Sequence, residues 1–413
     1  MNKLMFNSCN HSMNNGLKVV TIKKETKLAS IHVGLKVGAM FEDKHEKGVS
    51  HLIEHMLFKG TKSRNNERLN EELEFLGGDY NAYTDYTCTV YGVTALEEEL
   101  EKSVELLSDM LINSTFTKEE LEKEKNVIVA EIRANNDDIE DYSFKKAHEA
   151  AFNVSALKND VAGTEESVLS ISREMLLNFY NKYYCPNNCV ITVVSSLDHE
   201  EVIDILSKYL SKWEEKHIDE KKFITEKNNN LLKTSYKNDM EQSTITYLFT
   251  FNELPKSMEL PLKILNLKLG ESSNSILFRE LRENRGLAYD IYTFLDMSKN
   301  VKTLYIYTAV SEENIEETMN AINKCIDGIK NKKILFNTTT VNLMKKVHKT
   351  AVVSTLEDST DLGNYVLHQC LEDENIYEFI QDMHRLENLQ GSHIYDVANV
   401  VLNDPTIHIL KPI

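Results

Sequence analysis

The chain has 413 residues, 41% of them apolar and 27% charged, and its 47 Lys and Arg against 65 Asp and Glu give a formal charge of −18. This composition is typical of a soluble globular protein, and the length predicts two or more domains, which excludes a single small binding module. The acidic balance argues against nucleic-acid binding, which needs clustered Lys and Arg, and favours a basic or neutral peptide as partner.

The sequence predicts neither a membrane segment nor a secretion signal. It contains no run of about 18 apolar residues, and its first residues pass into Asn and Ser before a signal-peptide core could form. Six cysteines without a CxxC pair are too sparse for a disulfide framework. Cys185 and Cys189 bracket a turn, where ordinary packing is favoured over a role in metal binding. We therefore predict a cytoplasmic protein.

Taken in chain order, the hydrophobic patterns predict a mixture of strands and helices. The Asn15-Gly16 turn precedes the first strand. Alternating or continuous apolar runs predict strands at 17–22, 31–37 and 189–194. Helical periodicity predicts helices at about 48–58, 65–76, 96–112 and 117–135. This order indicates an α+β fold in which antiparallel-rich sheets pack against helices.

A charged, Asn-rich stretch divides the sequence in two. Residues 213–230 read WEEKHIDEKKFITEKNNN and have little periodicity, which is typical of a solvated connection. We predict an N-terminal domain at 1–212, a linker at 213–230 and a C-terminal domain at 231–413.

The two halves resemble each other at an offset of about 209 residues. Glu71–Gly77 then faces Glu280–Gly286, and Tyr83-Thr84 faces Tyr292-Thr293. After a slip of about five residues the strand pattern at 90–95 faces a similar one at 304–309. We predict two homologous domains. The identities are few, so the alternative is a chance similarity between two helix-turn-strand units.

The most specific local motif is HxxEH, formed by His51, Glu54 and His55. At about 100° per residue, all three side chains project from one side of a helix, where two imidazoles one turn apart can reach a single zinc ion. The opposite side is apolar and faces the core; it consists of Leu52, Ile53, Met56 and Leu57. The alternative is an ordinary solvated polar face.

A catalytic zinc needs a third protein ligand, and the segment from Thr117 offers candidates. Thr117-Lys118-Glu119-Glu120 is a capping box that begins a long helix. In that helix Glu124 and Glu131 share a face with apolar residues. Burying an ionised carboxylate is costly unless it is paired with a cation or bound to a metal. The alternative is that both glutamates lie exposed at the edge of the apolar stripe.

These motifs together resemble the pitrilysin/insulinase family of zinc peptidases. The resemblance rests on HxxEH, on the step of 76 residues from His55 to Glu131, and on Glu124 seven residues before Glu131. The stretches HLIEHMLFKGT, LGGDYNAYT and LFRELRENRGLAYDIYT are similar to the mitochondrial-processing-peptidase-like branch, and YCPNN at 184–188 resembles its YxPxN turn. The resemblance spans nearly the whole chain, with its motifs in the expected order.

The resemblance implies a role for individual residues. His51, His55 and Glu131 would bind Zn²⁺, Glu54 would be the general base toward water, and Glu124 would orient a ligand. Asn81 and Ala82 match the edge strand that pairs with the substrate backbone. Arg282 and Tyr289 match a pair that clamps the substrate and stabilises the oxyanion. The alternatives for that pair are an exposed Arg at a helix end and a packed Tyr.

The second half carries no second metal motif. At the offset of 209, the residues aligned with His51, Glu54 and His55 are Leu260, Lys263 and Ile264. The resemblance implies a zinc endopeptidase that acts on peptides inside a clamshell chamber. Because the chain carries both the metal motif and the Arg/Tyr pair, a homodimer is favoured over a heterodimer with an inactive partner. The alternative is a noncatalytic scaffold or assembly subunit of the same fold. A nucleotide-dependent enzyme is not supported, because neither GxxxxGK[ST] nor GxGxxG occurs.

Overall fold

The computed structural model describes residues 5–413. Residues 1–4, which belong to the N-terminal segment considered above as a secretion signal, lie outside the described residues. The strands are β1 Asn7–Ser12, β2 Lys18–Lys23, β3 Leu28–Leu35, β4 Asp79–Thr84, β5 Thr89–Leu96, β6 Cys189–Ser195, β7 Leu231–Lys237, β8 Ser243–Thr250, β9 Ala288–Asp296, β10 Thr303–Val310 and β11 Thr406–Pro412.

The α-helices are α1 Val49–Leu57, α2 Asn66–Glu74, α3 Leu100–Asn113, α4 Lys118–Asp137, α5 Ile139–Ala151, α6 Glu165–Ser170, α7 Arg173–Tyr183, α8 His199–Leu210, α9 Lys256–Asn266, α10 Ile276–Phe278, α11 Ile315–Lys330, α12 Thr338–Glu357, α13 Ser359–Leu371, α14 Glu378–Glu387 and α15 Gly391–Val401. Short π-helical segments follow α9 and α10, at Leu267–Glu271 and Arg279–Asn284. The predicted α+β fold is confirmed.

The chain folds into two compact units whose segments alternate along the sequence. The first runs to Arg133 and also contains Asp160–Lys222 and Val352–Glu378. The second contains Ala134–Asn159, Phe223–Ala351 and Phe379–Ile413. The predicted single boundary around 213–230 differs from the structure, in which each unit also contains a segment from the other half of the sequence. Residues 214–230 form no helix or strand.

The first unit is built on a sheet with the strand order β1-β2-β6-β3-β5-β4. Strands β2 and β6 are parallel, and the other neighbours are antiparallel. Successive residues of the inner strand β3 point to opposite faces: Ile31 and Val33 belong to the main core, while His32 faces α13. The predicted apolar side of α1 is part of that main core.

The sheet of the second unit repeats this topology. Its order, β7-β11-β8-β10-β9, matches β2-β6-β3-β5-β4 strand for strand, and its one parallel pair, β7 with β11, falls at the same position. Gly77 and Gly286, which the offset of 209 aligns, adopt left-handed backbones with φ of +65° and +63°. This agreement confirms the predicted duplication.

Each half of the sequence contributes one helix to the unit that is built mainly from the other half. Helix α5 packs on β8 and β11 of the second sheet, and α13 packs on β3 and β6 of the first. Both helices follow a long helix and begin at an aspartate cap: Asp138 accepts from the backbone N–H groups of residues 140 and 141, and Asp358 from those of residues 360 and 361. The duplicated segment therefore includes the exchanged helix.

Among the described residues, no helix is both long and apolar enough to span a bilayer. The predicted cytoplasmic location is a statement about compartment and stays a prediction.

Candidate functional site

The HxxEH motif lies on α1, whose N-terminus is held by a buried carboxylate. The N-cap residue Gly48 has a left-handed backbone with φ of +90°, and a Cβ there would lie 2.6 Å from the carbonyl oxygen of Ala162. In place of a capping side chain at position 48, Glu42 accepts hydrogen bonds from the N–H groups of Gly48 (3.0 Å) and Ser50 (2.9 Å). Burial raises the pKa of Glu42 to about 7.

One face of α1 brings together three groups able to bind a metal. Ligand atoms of His51, Glu54 and His55 all lie within 4.8 Å of one another. Burial and the neighbouring His55 lower the pKa of His51 to about 4, so its imidazole is neutral near pH 7 and available as a ligand. The helix therefore presents the two imidazoles that the sequence pattern predicts.

Glu131 of α4 closes this group from the other side. Its Oε1 lies 3.7 Å from Nε2 of His51, and its Oε2 lies 3.6 Å from Nε2 of His55. These separations are too long for hydrogen bonds, but ligands bound to one tetrahedral zinc at about 2.0–2.2 Å lie roughly 3.3–3.5 Å apart. His51, His55 and Glu131 thus form a donor set that fits Zn²⁺.

Glu124 lies two turns before Glu131 on α4 and contacts His55 through the other ring nitrogen. Its Oε2 lies 3.3 Å from Nδ1 of His55, and its Oε1 lies 2.9 Å from the Lys59 ammonium. Burial works against its charge, but both partners lower the pKa of Glu124 below its usual range. Glu124 is therefore a buried carboxylate, and it orients the His55 ring with Nε2 toward Glu131.

Glu54 is buried, with 8% of its surface exposed. The hydroxyl of Thr84, the last residue of β4, donates a hydrogen bond of 2.6 Å to its Oε2. Burial raises the pKa of Glu54, which suits a group that has to accept a proton.

Asn81 and Ala82 lie on β4, at the edge of the first sheet. Within residues 5–413, β4 pairs with β5 alone, with Asn81 opposite Gly92 and Ala82 opposite Tyr91. The outer edge of β4 can therefore accept an added strand, as the sequence predicts.

Arg282 and Tyr289 are in contact in the second unit. The Arg282 guanidinium lies 4.7 Å from the ring centroid of Tyr289 and 4.9 Å from that of Phe278. Tyr289 is 77% exposed, so the pair is presented at the surface of its unit. The predicted alternative of a packed tyrosine is thus not what the structure shows.

The remaining sequence candidates are structural in character. Leu260 and Ile264, opposite the two histidines in the repeat, are buried on α9. Cys185 and Cys189 are buried beside the turn at 186–188, and burial raises the pKa of both thiols. Sequence reasoning missed three supporting residues, because no periodic pattern reveals their contacts: Glu42 accepts from the N-terminus of α1, Lys59 pairs with Glu124, and Thr84 donates to Glu54.

Two protein-family profiles match this chain. Residues 18–165 match the insulinase (peptidase family M16) profile, and residues 170–337 match the profile of the peptidase M16 inactive domain. The chain belongs to the insulinase family, M16. The second profile includes α9, where the repeat lacks the metal motif.

Individual M16 relatives agree with this assignment. An uncharacterized zinc protease of Rickettsia bellii is 28% identical over 406 residues, which cover 95% of this chain and 94% of the relative. Cytochrome b-c1 complex subunit 1 of Bos taurus is 31% identical over 48% of this chain and 42% of its own. The crystal structure of a protease from Helicobacter pylori has the same fold, with a TM-score of 0.91, 21% identity, and 99% and 100% of the two chains covered.

Proposed function

We propose that this M16 protein is a zinc-dependent endopeptidase that hydrolyses peptides or unfolded precursor segments in a clamshell chamber. The proposal is carried by one observation, the convergence of His51 and His55 on the Glu131 carboxylate at 3.7 and 3.6 Å, with Glu54 beside them. A zinc-protease name on a relative that spans nearly the full length supports it.

When bound, zinc supplies a Lewis acid that polarises the scissile carbonyl and lowers the pKa of water to about 7. Glu54 is the base: its buried carboxylate takes a proton from the attacking water and delivers it to the leaving amine. The free edge of β4 at Asn81 and Ala82 binds the substrate backbone, whatever its sequence. Arg282 and Tyr289 clamp the substrate and stabilise the oxyanion.

Zinc content and cleavage of a quenched basic peptide, measured together, test this proposal. Wild type is expected to hold about one zinc per chain and to cleave. Glu54→Gln keeps the metal and loses at least about a hundredfold in turnover, in line with general-base contributions. Glu119→Gln, which changes an exposed carboxylate at the start of α4, serves as the matched control and retains activity.

A second candidate function is a noncatalytic scaffold or assembly subunit. The similarity to a protein named as a subunit of the cytochrome b-c1 complex favours it. Here the complete donor set of His51, His55 and Glu131 favours the peptidase. A wild-type chain that binds no zinc and cleaves no peptide in a broad panel would establish the scaffold instead.

The proposed partners are a peptide substrate and a second copy of the chain. The chain carries both the metal ligands and the Arg/Tyr pair, which favours a homodimer over a heterodimer with an inactive partner. A monomeric mass in light scattering, for a fully active preparation, would exclude the homodimer. The net charge of −18 favours basic peptides.

Processing of one precursor and general peptide degradation differ in their cleavage patterns. Mass spectrometry of an unlabelled peptide mixture separates them: a single dominant cut supports processing, and scattered cuts support degradation.

A further inference from the structure

The hydroxyl of Thr84 is committed to Glu54. Its Oγ1 lies 2.6 Å from Oε2 of Glu54 and 3.4 Å from Oγ1 of Thr89, which is its partner in the β4–β5 register. A threonine hydroxyl carries one hydrogen, and hydrogen bonds between oxygens are strongest near 2.7 Å. The hydrogen of Thr84 therefore belongs to the bond with Glu54.

Thr89 does not compete for Glu54. Its own hydroxyl donates to the carbonyl oxygen of Val37 at 2.9 Å, and Thr89 is fully buried. The lone pairs of Thr89 face Thr84, so this side chain can only accept. The two hydroxyls therefore serve different acceptors: Thr84 donates to Glu54, and Thr89 donates to the Val37 carbonyl oxygen.

The strand that carries Thr84 is fixed by the residue next to it. The Tyr83 hydroxyl lies 2.6 Å from Nε2 of His368 and donates to Oδ1 of Asn364 at 3.0 Å, and both partners are on α13. Because neighbouring residues of a strand point to opposite faces, Tyr83 is tied to α13 while Thr84 reaches α1. The Thr84 hydroxyl is therefore presented at a defined place.

We propose that Thr84 is a positioning residue that orients the Glu54 carboxylate for proton transfer, an inference that rests on the proposed peptidase function. A buried carboxylate with one oxygen held is restricted in rotation, so its other oxygen, Oε1, keeps one direction. The strand that holds the base also offers its outer edge at Asn81 and Ala82. Docking of a substrate strand and placement of the base therefore depend on the same six residues of β4.

Thr84→Val tests this role because it removes the hydroxyl and keeps the β-branched shape. It is expected to keep zinc stoichiometry and KM close to wild type and to lower kcat by about 10–100-fold, as loss of a hydrogen bond to a charged group predicts. Thr84→Ser restores the hydroxyl and is expected to recover kcat to within a few-fold of wild type.

Thr94→Val is the matched control. Thr94 lies on β5 of the same sheet, and its hydroxyl bonds to Ser30 (2.8 Å) and Thr360 (3.0 Å) rather than to the metal group. It is expected to leave kcat unchanged. A Thr84→Val variant with kcat within threefold of wild type, or a Thr84→Ser variant as impaired as Thr84→Val, would overturn the positioning role.

A second measurement does not depend on turnover. Crystal structures of the metal-free Thr84→Val and Thr84→Ser proteins are expected to show Glu54 rotated in the first and unchanged in the second. An unchanged Glu54 carboxylate in Thr84→Val would overturn the inference whatever the activity. Absence of cleavage by wild type with zinc bound would overturn the proposed function, and the crystal structures would still decide the role of Thr84.

Discussion

Gly363 of α13 lies directly against the imidazole of His32 on β3. A Cβ at position 363 would come within 2.8 Å of Nδ1 and 3.0 Å of Cε1 of that ring. Helix α13 is also bonded to the neighbouring strand β6, where the Thr192 hydroxyl donates to the carbonyl oxygen of Gly363 at 2.9 Å. Only glycine allows α13 to approach the first sheet this closely.

We therefore expect Gly363→Ala to destabilise the protein, although alanine is the better helix former by about 1 kcal/mol. Overpacking against the ring costs about 1–3 kcal/mol, so after the gain in helix propensity the free energy of unfolding in urea should fall by up to about 2 kcal/mol. In the control Gly328→Ala on α11, the new Cβ meets Cδ1 and Cγ1 of the Ile334 side chain, each at 3.0 Å, rather than a rigid ring. Equal unfolding midpoints for the two variants would contradict the close fit at Gly363.

His408 of β11 should make the protein sensitive to acid. Burial lowers the pKa of His408 to about 4, with smaller contributions from Lys233 and Lys146 and an opposing one from Glu149. Between pH 6.5 and 4 the unfolded chain then binds a proton that the folded protein does not, so stability falls as the pH falls through this window.

His408→Gln removes this linkage. From pH 7 to pH 5 the wild-type residue costs about 2 kcal/mol, and the variant should lose correspondingly less stability over the same interval. Urea unfolding of metal-free protein at the two pH values measures the difference, since the zinc ligands then cancel between variant and wild type. Parallel pH profiles would show that His408 is not the titrating group.

Glu124→Gln should weaken zinc binding without abolishing it. The amide keeps the shape of the side chain but loses the charge that pairs with Lys59 and orients His55, and such partners contribute about 10–100-fold in metal affinity. Competition with a chromophoric chelator gives the affinity. In the same assay His51→Ala is expected to lose stoichiometric zinc altogether, and a larger loss in Glu124→Gln than in His51→Ala would reverse the assigned roles.

Tyr289→Phe should lower kcat by at least about tenfold while zinc content stays at wild type, because it deletes the proposed hydrogen-bond donor to the oxyanion and keeps the ring beside Arg282. Tyr236→Phe, another exposed tyrosine of the second unit, is the control. Unchanged peptide cleavage by Tyr289→Phe would remove its hydroxyl from the mechanism and leave the ring as a support for the guanidinium.

Much of the local structure follows from the sequence. The first helices lie within a few residues of their predicted bounds because caps and apolar periodicity mark them, and the aligned glycines Gly77 and Gly286 do adopt the same turn. The HxxEH spacing predicts that three polar groups share one face of α1. Its apolar side is buried as expected.

The exchange of α5 and α13 could not be predicted in the same way. An amphipathic pattern shows that a helix has an apolar face, but two similar sheets offer that face equivalent places to pack. The contact between Thr84 and Glu54 is likewise invisible in the sequence, because a strand and a helix 30 residues apart meet only through the folded sheet. Long-range partners are thus the part of the site that required the structure.

The exchanged helix α13 determines when the first unit can complete its packing during synthesis. Strand β6 emerges from the ribosome well before α13, which begins at Ser359. Until then the face of the sheet that bears His32 has no helix to cover it. The first unit, which holds His51, His55 and Glu131, therefore completes its packing only near the end of translation. The proposed peptidase site is then complete only after the second half of the chain has been synthesised.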